Sequence, residues 1–150
     1  TQVLDRAAVL LAFEQVGGSD RALEMGRDYA LDRIAFGRPI GSFQAVKHIL
    51  ADMTVRAELA RAAVDAAAVV VDDVAFDAAD AARVTRAVSG ARLLAGEAAL
   101  KNAKSSMQVH GGMGFTWEVD VHLYLKRAWL LNTVFGTAAA QADALADVVA

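Results

Sequence analysis

The chain has 150 residues, enough for one domain that buries roughly two-thirds of its unfolded surface, and its net charge is only −3. No run of Lys and Arg forms a stripe to track phosphates, which excludes nucleic acid, and the absence of cysteine excludes disulfides, thiol catalysis and thiolate metal sites and suits a cytoplasmic location. Hydrophobic residues make up 56% of the chain, much of it alanine, while aromatics make up 7% and proline occurs once, a balance for closely packed helices with little to suggest a sheet.

The start, Thr1-Gln2-Val3-Leu4-Asp5-Arg6, has no initiator Met and no signal-peptide pattern, and is expected to be a cut through a longer polypeptide. Helical periodicity then runs from about Leu4 to Asp32, with Val9, Leu10, Phe13, Val16, Leu23 and Tyr29 as its apolar positions. Gly17 and Gly18 fall inside that helix, where each costs about 1 kcal/mol against alanine, so close approach of a neighbouring helix is the expected reason for them. Phe36-Gly37-Arg38-Pro39-Ile40-Gly41-Ser42 ends the helix and turns the chain. Ser42 is the expected N-cap of a second helix running to about Val74, with Val46, Ile49, Leu50 and Met53 on one face.

Asp77 is the expected N-cap of a third helix, with Asp80 in its first turn where negative charge suits the dipole, and the helix continues to about Val109. His110-Gly111-Gly112-Met113-Gly114-Phe115-Thr116-Trp117 is a second break. A fourth helix is expected over about Val119 to Asn132, interrupted by Phe135-Gly136-Thr137, with Thr137 capping a short alanine-rich last helix. Apolar stretches such as Ala66 to Val71 fall well short of the roughly 20 residues a membrane-spanning helix needs. The expected architecture is all-α: an up-and-down four-helix bundle with a short extra C-terminal helix. Helices of about 30 residues would each be near 45 Å long. The last helix has no apolar partner left in the chain and is expected to pack against another one.

Much chemistry is excluded by spacing. None of His48, His110 and His122 follows a glutamate by three residues, and there is no His-Glu-x-x-His run, so no metal site is expected. Ser105-Ser106 lies in no Gly-x-Ser-x-Gly elbow. Gly111-Gly112-Met113-Gly114 follows no strand and is not a Gly-x-Gly-x-x-Gly turn. It is either a plain tight turn or a loop whose backbone amides meet an anion.

Two stretches resemble one family. Arg33-Ile34-Ala35-Phe36-Gly37-Arg38-Pro39-Ile40-Gly41-Ser42-Phe43-Gln44 is similar to the acyl-CoA dehydrogenase pattern R-x-x-F-G-x-x-I-x-x-x-Q. Gln108-Val109-His110-Gly111-Gly112-Met113-Gly114-Phe115-Thr116 is similar to its Q-x-x-G-G-x-G-[YF]-[ST], and Gly136-Thr137 stands where the family's Y-E-G-T closes the active site. The resemblance covers the whole chain, residues 1–150, as the C-terminal helical domain, with an N-terminal helical domain and a middle β-domain expected outside it. It implies FAD as cofactor, an acyl-CoA thioester as substrate, and an electron-transfer flavoprotein as electron acceptor by family analogy. It also implies assembly into homo- or hetero-oligomers of acyl-CoA dehydrogenase-like chains. Carried over, Arg33, Phe36 and Gln44 from the first motif and Gln108, Gly111 and Gly112 from the second would bind the pyrophosphate and adenine of an FAD held mainly by a neighbouring subunit. Ala35 departs from the family's frequent Thr or Ser and removes a hydroxyl donor.

The family reaction is α,β-desaturation, in which a glutamate takes the α-proton while the β-hydrogen leaves as hydride to the flavin. Here the glutamate position holds Phe135, and the alternative position on the first helix holds Ala7, neither of which accepts a proton. Asp5, two residues away, is a substitute only if the backbone differs, and otherwise reads as a substrate contact or a helix-end charge. No catalytic residue is therefore assigned. The chain resembles actinobacterial members for bulky steroid side-chain CoA thioesters, in which two different chains assemble and one carries the glutamate. The alternative is a non-catalytic binding or assembly subunit derived from the same family.

Overall fold

The computed structural model describes residues 2–73 and 80–149. Three long helices, α1 (Gln2–Asp32), α2 (Gln44–Asp73) and α3 (Ala81–His110), are followed by two short ones, α4 (Val121–Leu131) and α5 (Ala138–Asp147). The side-chain bonds fix their directions. Gln15 meets Arg92 and Ser19 meets Asn102, so α1 and α3 run parallel. Asp20 meets Arg61 and Asn102 meets Arg56, so α2 runs back between them. Arg127 of α4 bonds Glu14, and Arg86 near the start of α3 donates to Val148 O just past α5. The two short helices thus follow one another down α3 as halves of a broken fourth helix, and the expected up-and-down bundle is formed.

Small residues make the long helices pack closely. Ala8, Ala12, Val16, Ala60, Val64, Ala67, Val88, Ala91 and Ala95 form one buried cluster where α1, α2 and α3 meet. Ala103, Met107, Val121 and Leu125 form a second, under α4. Among the described residues no helix is long and apolar enough to cross a membrane.

Several local expectations are corrected. Ser42 does not cap α2: its hydroxyl donates to Pro39 O inside the 3-10 turn Ile40–Ser42. Phe43 takes the capping position, its carbonyl accepting from Val46 N and Lys47 N at 3.1 Å each. The low sheet propensity did not prevent a minimal hairpin, strand β1 (Ile34–Ala35) against β2 (Arg38–Pro39), joined by Phe36 and Gly37 at φ 54 and 76. Positive φ at both central residues is the condition for a type I′ turn. Gly17 and Gly18 are not close-packing glycines, since a Cβ at Gly17 would meet open space and one at Gly18 only Tyr124 at 4.0 Å. Gly26 and Gly96 fill that role instead, against Ser106 and Asn132. Helix α5 does have a neighbour within the chain, lying along α3, and none of its residues is buried there. Helix α4 starts at Val121 rather than Val119. Asp77 and Val74 lie outside the described residues, and Asp80 stands at the N-cap of α3 with its carbonyl accepting from Val84 N at 2.9 Å. Thr137 caps α5 as expected, its hydroxyl accepting from Ala140 N.

Candidate functional site

The two motif segments lie at the same end of the bundle. The Tyr29 ring near the end of α1 stacks on the His110 ring at the end of α3, with centroids 4.4 Å apart. His110 is held in place because its Nδ1–H donates to Ser106 O at 2.8 Å. Arg33 continues from Tyr29, its N–H bonded to Tyr29 O, and the chain returns by Ile40 N–H to Arg33 O at 2.8 Å. The return is tight: a Cβ at Gly41 would stand 2.9 Å from Ala30 O, so only glycine fits without backbone movement.

At this end the side chains singled out in the sequence face outward. Arg33, Gln44 and Gln108 are exposed, and Phe36 is 95% exposed although its φ of 54 is a strained conformation for a side chain with a Cβ. Gln44 Nε2 lies 3.3 Å from His48 Nε2 one turn on. Arg38 covers the Phe43 ring at 4.2 Å, which leaves Arg33 as the hairpin's guanidinium with no bonding partner among the described residues. Gly111 ends α3 at φ 60, its N–H bonded to Gln108 O, and Gly112 follows it. A Cβ on either glycine would meet nothing within 4 Å, so both open directly to the outside. Gly114 is different, since a Cβ there would press to 2.7 Å on Met107 O, which keeps the loop folded against α3.

The opposite end holds a second set. Asp5 and Phe135 line one cleft of about 320 Å³, together with Leu4, Ala8, Thr85, Val88, Ser89 and Gln141. Ala8, not Ala7, lines it, and Asp5 is the one carboxylate among the lining residues. The structure thus brings Phe135 and Asp5 together, far from the motif end.

Sequence reasoning missed the polar side chains buried between these ends. Arg92, 4% exposed, donates from Nη1 to Gln15 Oε1 and from Nη2 to Leu131 O and Val134 O at 3.1 and 2.8 Å. Burial lowers the Arg92 pKa from the ordinary arginine value, since desolvation penalises the charged form. Gln15 Nε2 donates to Asn132 Oδ1 at 2.6 Å, and Asn132 Nδ2 donates to Gly96 O at 3.3 Å. Gly96 makes room for this, because a Cβ there would stand 2.5 Å from Asn132 Oδ1. Asn102 forms a separate pin, donating to Ser19 Oγ and Met53 O and accepting from Arg56 Nε. The available signal was a charged or amide residue on a helix face otherwise occupied by Val88, Ala91 and Ala95.

Comparison with known proteins completes the description. The model of the acyl-CoA dehydrogenase C-terminal domain matches residues 1–150. The acyl-CoA dehydrogenase IpdE2 of Mycobacterium tuberculosis is 47% identical over 126 residues, 84% of this chain and 36% of that protein. A variant of the Tcur3481–Tcur3483 steroid ACAD superposes with a TM-score of 0.87 at 30% identity, covering 97% of this chain and 38% of that one. PigA with FAD and proline superposes with a TM-score of 0.88 at 27% identity, covering 97% and 36%. The chain spans about 36% of the length of the Mycobacterium tuberculosis relative and of the IpdE2 of Mycolicibacterium smegmatis, to which it is 44% identical.

Proposed function

The chain belongs to the acyl-CoA dehydrogenase family, as its C-terminal domain, and from that premise we propose that it serves in a subunit of an FAD-dependent acyl-CoA dehydrogenase. In this reading the hairpin and glycine-loop end holds the adenosine and pyrophosphate half of an FAD whose ring belongs to a neighbouring chain. One observation carries the proposal: a guanidinium with no bonding partner among the described residues, and two exposed glycines with open space where a side chain would stand, share one end of the bundle. These residues fit the group. Arg33 offers a charged fork to phosphate oxygens. Gly111 and Gly112 let backbone amides approach where a side chain would block. Gln44 and Gln108 supply amide donors and acceptors, and Phe36 an apolar face for adenine. Bound FAD supplies the hydride acceptor for α,β-desaturation of an acyl-CoA thioester.

The cleft at the other end sets what this chain adds to that chemistry. A proton on carbon is removed by a base within hydrogen-bond reach. Phe135 has no acceptor, and of the lining residues only Asp5 has a carboxylate. Because Phe135 occupies the glutamate position and Asp5 stands two residues from the alternative one at Ala7, we assign the cleft a wall-forming role and the base to a second, homologous chain in a heteromeric assembly. The structural relative named as the Tcur3481–Tcur3483 steroid ACAD supports a paired enzyme. The electron acceptor would be an electron-transfer flavoprotein, and the reducing cytoplasm suits a chain without cysteine. A second reading, an assembly subunit without chemistry, draws on the same pair of substitutions, Phe135 and Ala7.

The test is a flavin spectrum of the full-length protein, purified alone and with its acyl-CoA dehydrogenase-like partner. The expected result is no thioester-dependent bleaching alone, with flavin content and bleaching restored in the complex. Bleaching by the lone protein, abolished by Asp5→Asn, would overturn the assignment of the base. A complex that binds FAD but never bleaches would select the assembly-subunit reading.

A further inference from the structure

A guanidinium is buried only where acceptors replace its water, and those acceptors are usually carboxylates. Arg92 has none. Its three acceptors are the amide oxygen of Gln15 and the carbonyls of Leu131 and Val134, which end α4 and begin the turn to α5. A positive charge suits the carbonyl end of a helix, and for capping alone Leu131 O would be enough. The bond to Val134 O reaches further, to the peptide that leads into Phe135. On the far side, Gln141 Nε2 donates to Phe135 O at 2.7 Å. Phe135 is therefore gripped through the carbonyls on both sides of its Cα, at a φ of 59 that residues with a Cβ rarely adopt.

From this geometry we infer that Arg92 is a positioning residue: through Val134 it fixes where the side chain at 135 stands in the cleft with Asp5, and so sets the wall presented to the acyl thioester. Gln141 completes the grip from the other side. Gln15 and Asn132 orient Arg92 and the end of α4 in turn, which ties the cleft wall to the middle of α1. The inference rests on the reading that this cleft faces the thioester, but its first readout does not require ligand.

The experiment places 4-fluorophenylalanine at position 135 alone in the full-length protein and records its fluorine NMR resonance. One narrow line is expected for the parent. Arg92→Met should split or broaden it, and Arg92→Lys, which returns a positive donor to the carbonyls, should recover a single shifted line. Gln141→Ala should also broaden it, and decides the matter if Arg92→Met does not fold, because Gln141 lies at the surface side of the turn. Val121→Ala, a core truncation at the start of α4 in the second buried cluster, which shares no residue with the cleft lining, should leave the line unchanged. An unchanged line in Gln141→Ala and Arg92→Met, or equal broadening in Val121→Ala, would overturn the inference. In the assembled enzyme Arg92→Lys should raise KM for the thioester with kcat little changed. If the resonances behave as expected and no thioester binds, the functional reading falls while the role of Arg92 in the turn stands.

Discussion

The two ends of the bundle manage polar groups in opposite ways. At the hairpin end Arg33, Gln44 and Gln108 stand in solvent, and the glycines leave backbone uncovered. At the cleft end the polar groups of Arg92, Gln15 and Asn132 are turned inward and bonded to one another, while an apolar ring faces the cavity. Groups bonded within the chain contribute to its own stability, and leaving their partners unpaired is costly. Groups left outward make no such contribution, and in the proposed reading they meet the flavin. The contrast separates residues that hold a surface in place from residues that are the surface.

Substitutions should break this contrast in a fixed order. Arg92→Met removes the charged donor from three oxygens, of which Leu131 O keeps the Val134 N–H at 3.3 Å, and should cost about 3 kcal/mol in denaturant unfolding, with flavin content of the assembled enzyme unchanged. Gly96→Ala places a Cβ 2.5 Å from Asn132 Oδ1 and should cost about 2 kcal/mol by displacing Asn132 from Gln15, again without a flavin effect. Gly112→Ala should behave in the opposite manner. Its methyl meets open space, so stability should stay within about 0.5 kcal/mol, while a flavin titration should show weaker binding. A stability loss in Gly112→Ala, or a flavin loss in Gly96→Ala, would blur the division between the ends.

Helix positions were readable because the apolar positions along α1, α2 and α3 repeat at helical spacing over about 30 residues each. The breaks were readable too, with Thr137 capping α5 where a hydroxyl precedes an alanine run. Local chemistry misled where two choices compete. Ser42 has a capping side chain, but its hydroxyl is taken by Pro39 O, and the 3-10 turn moves the helix start to Gln44. The hairpin escaped notice because type I′ turns usually announce themselves with Asn-Gly, and here Phe36 occupies the first left-handed position. Glycine is ambiguous in the same way, since Gly17 and Gly96 look alike in sequence and differ only in what lies across the helix. The motif residues could be named from the sequence, but that Tyr29 and His110 join them at one end could not. The pairing of Arg92 with Gln15 and with carbonyls in the α4 turn is likewise a fact of packing between distant segments, and periodicity reveals only that a charge sits on a buried face.

The central claim is that this bundle holds part of a flavin whose ring lies with a neighbouring chain. Arg33→Ala, made in this subunit only, tests it within the assembled enzyme. Losing a charged hydrogen bond of about 1.5–3 kcal/mol should weaken FAD binding roughly tenfold to a hundredfold. The unfolding midpoint of this subunit and the assembly of the complex should remain as they were, because Arg33 is exposed and bonds no described residue through its side chain. Unchanged FAD affinity in a correctly assembled Arg33→Ala complex would contradict the account.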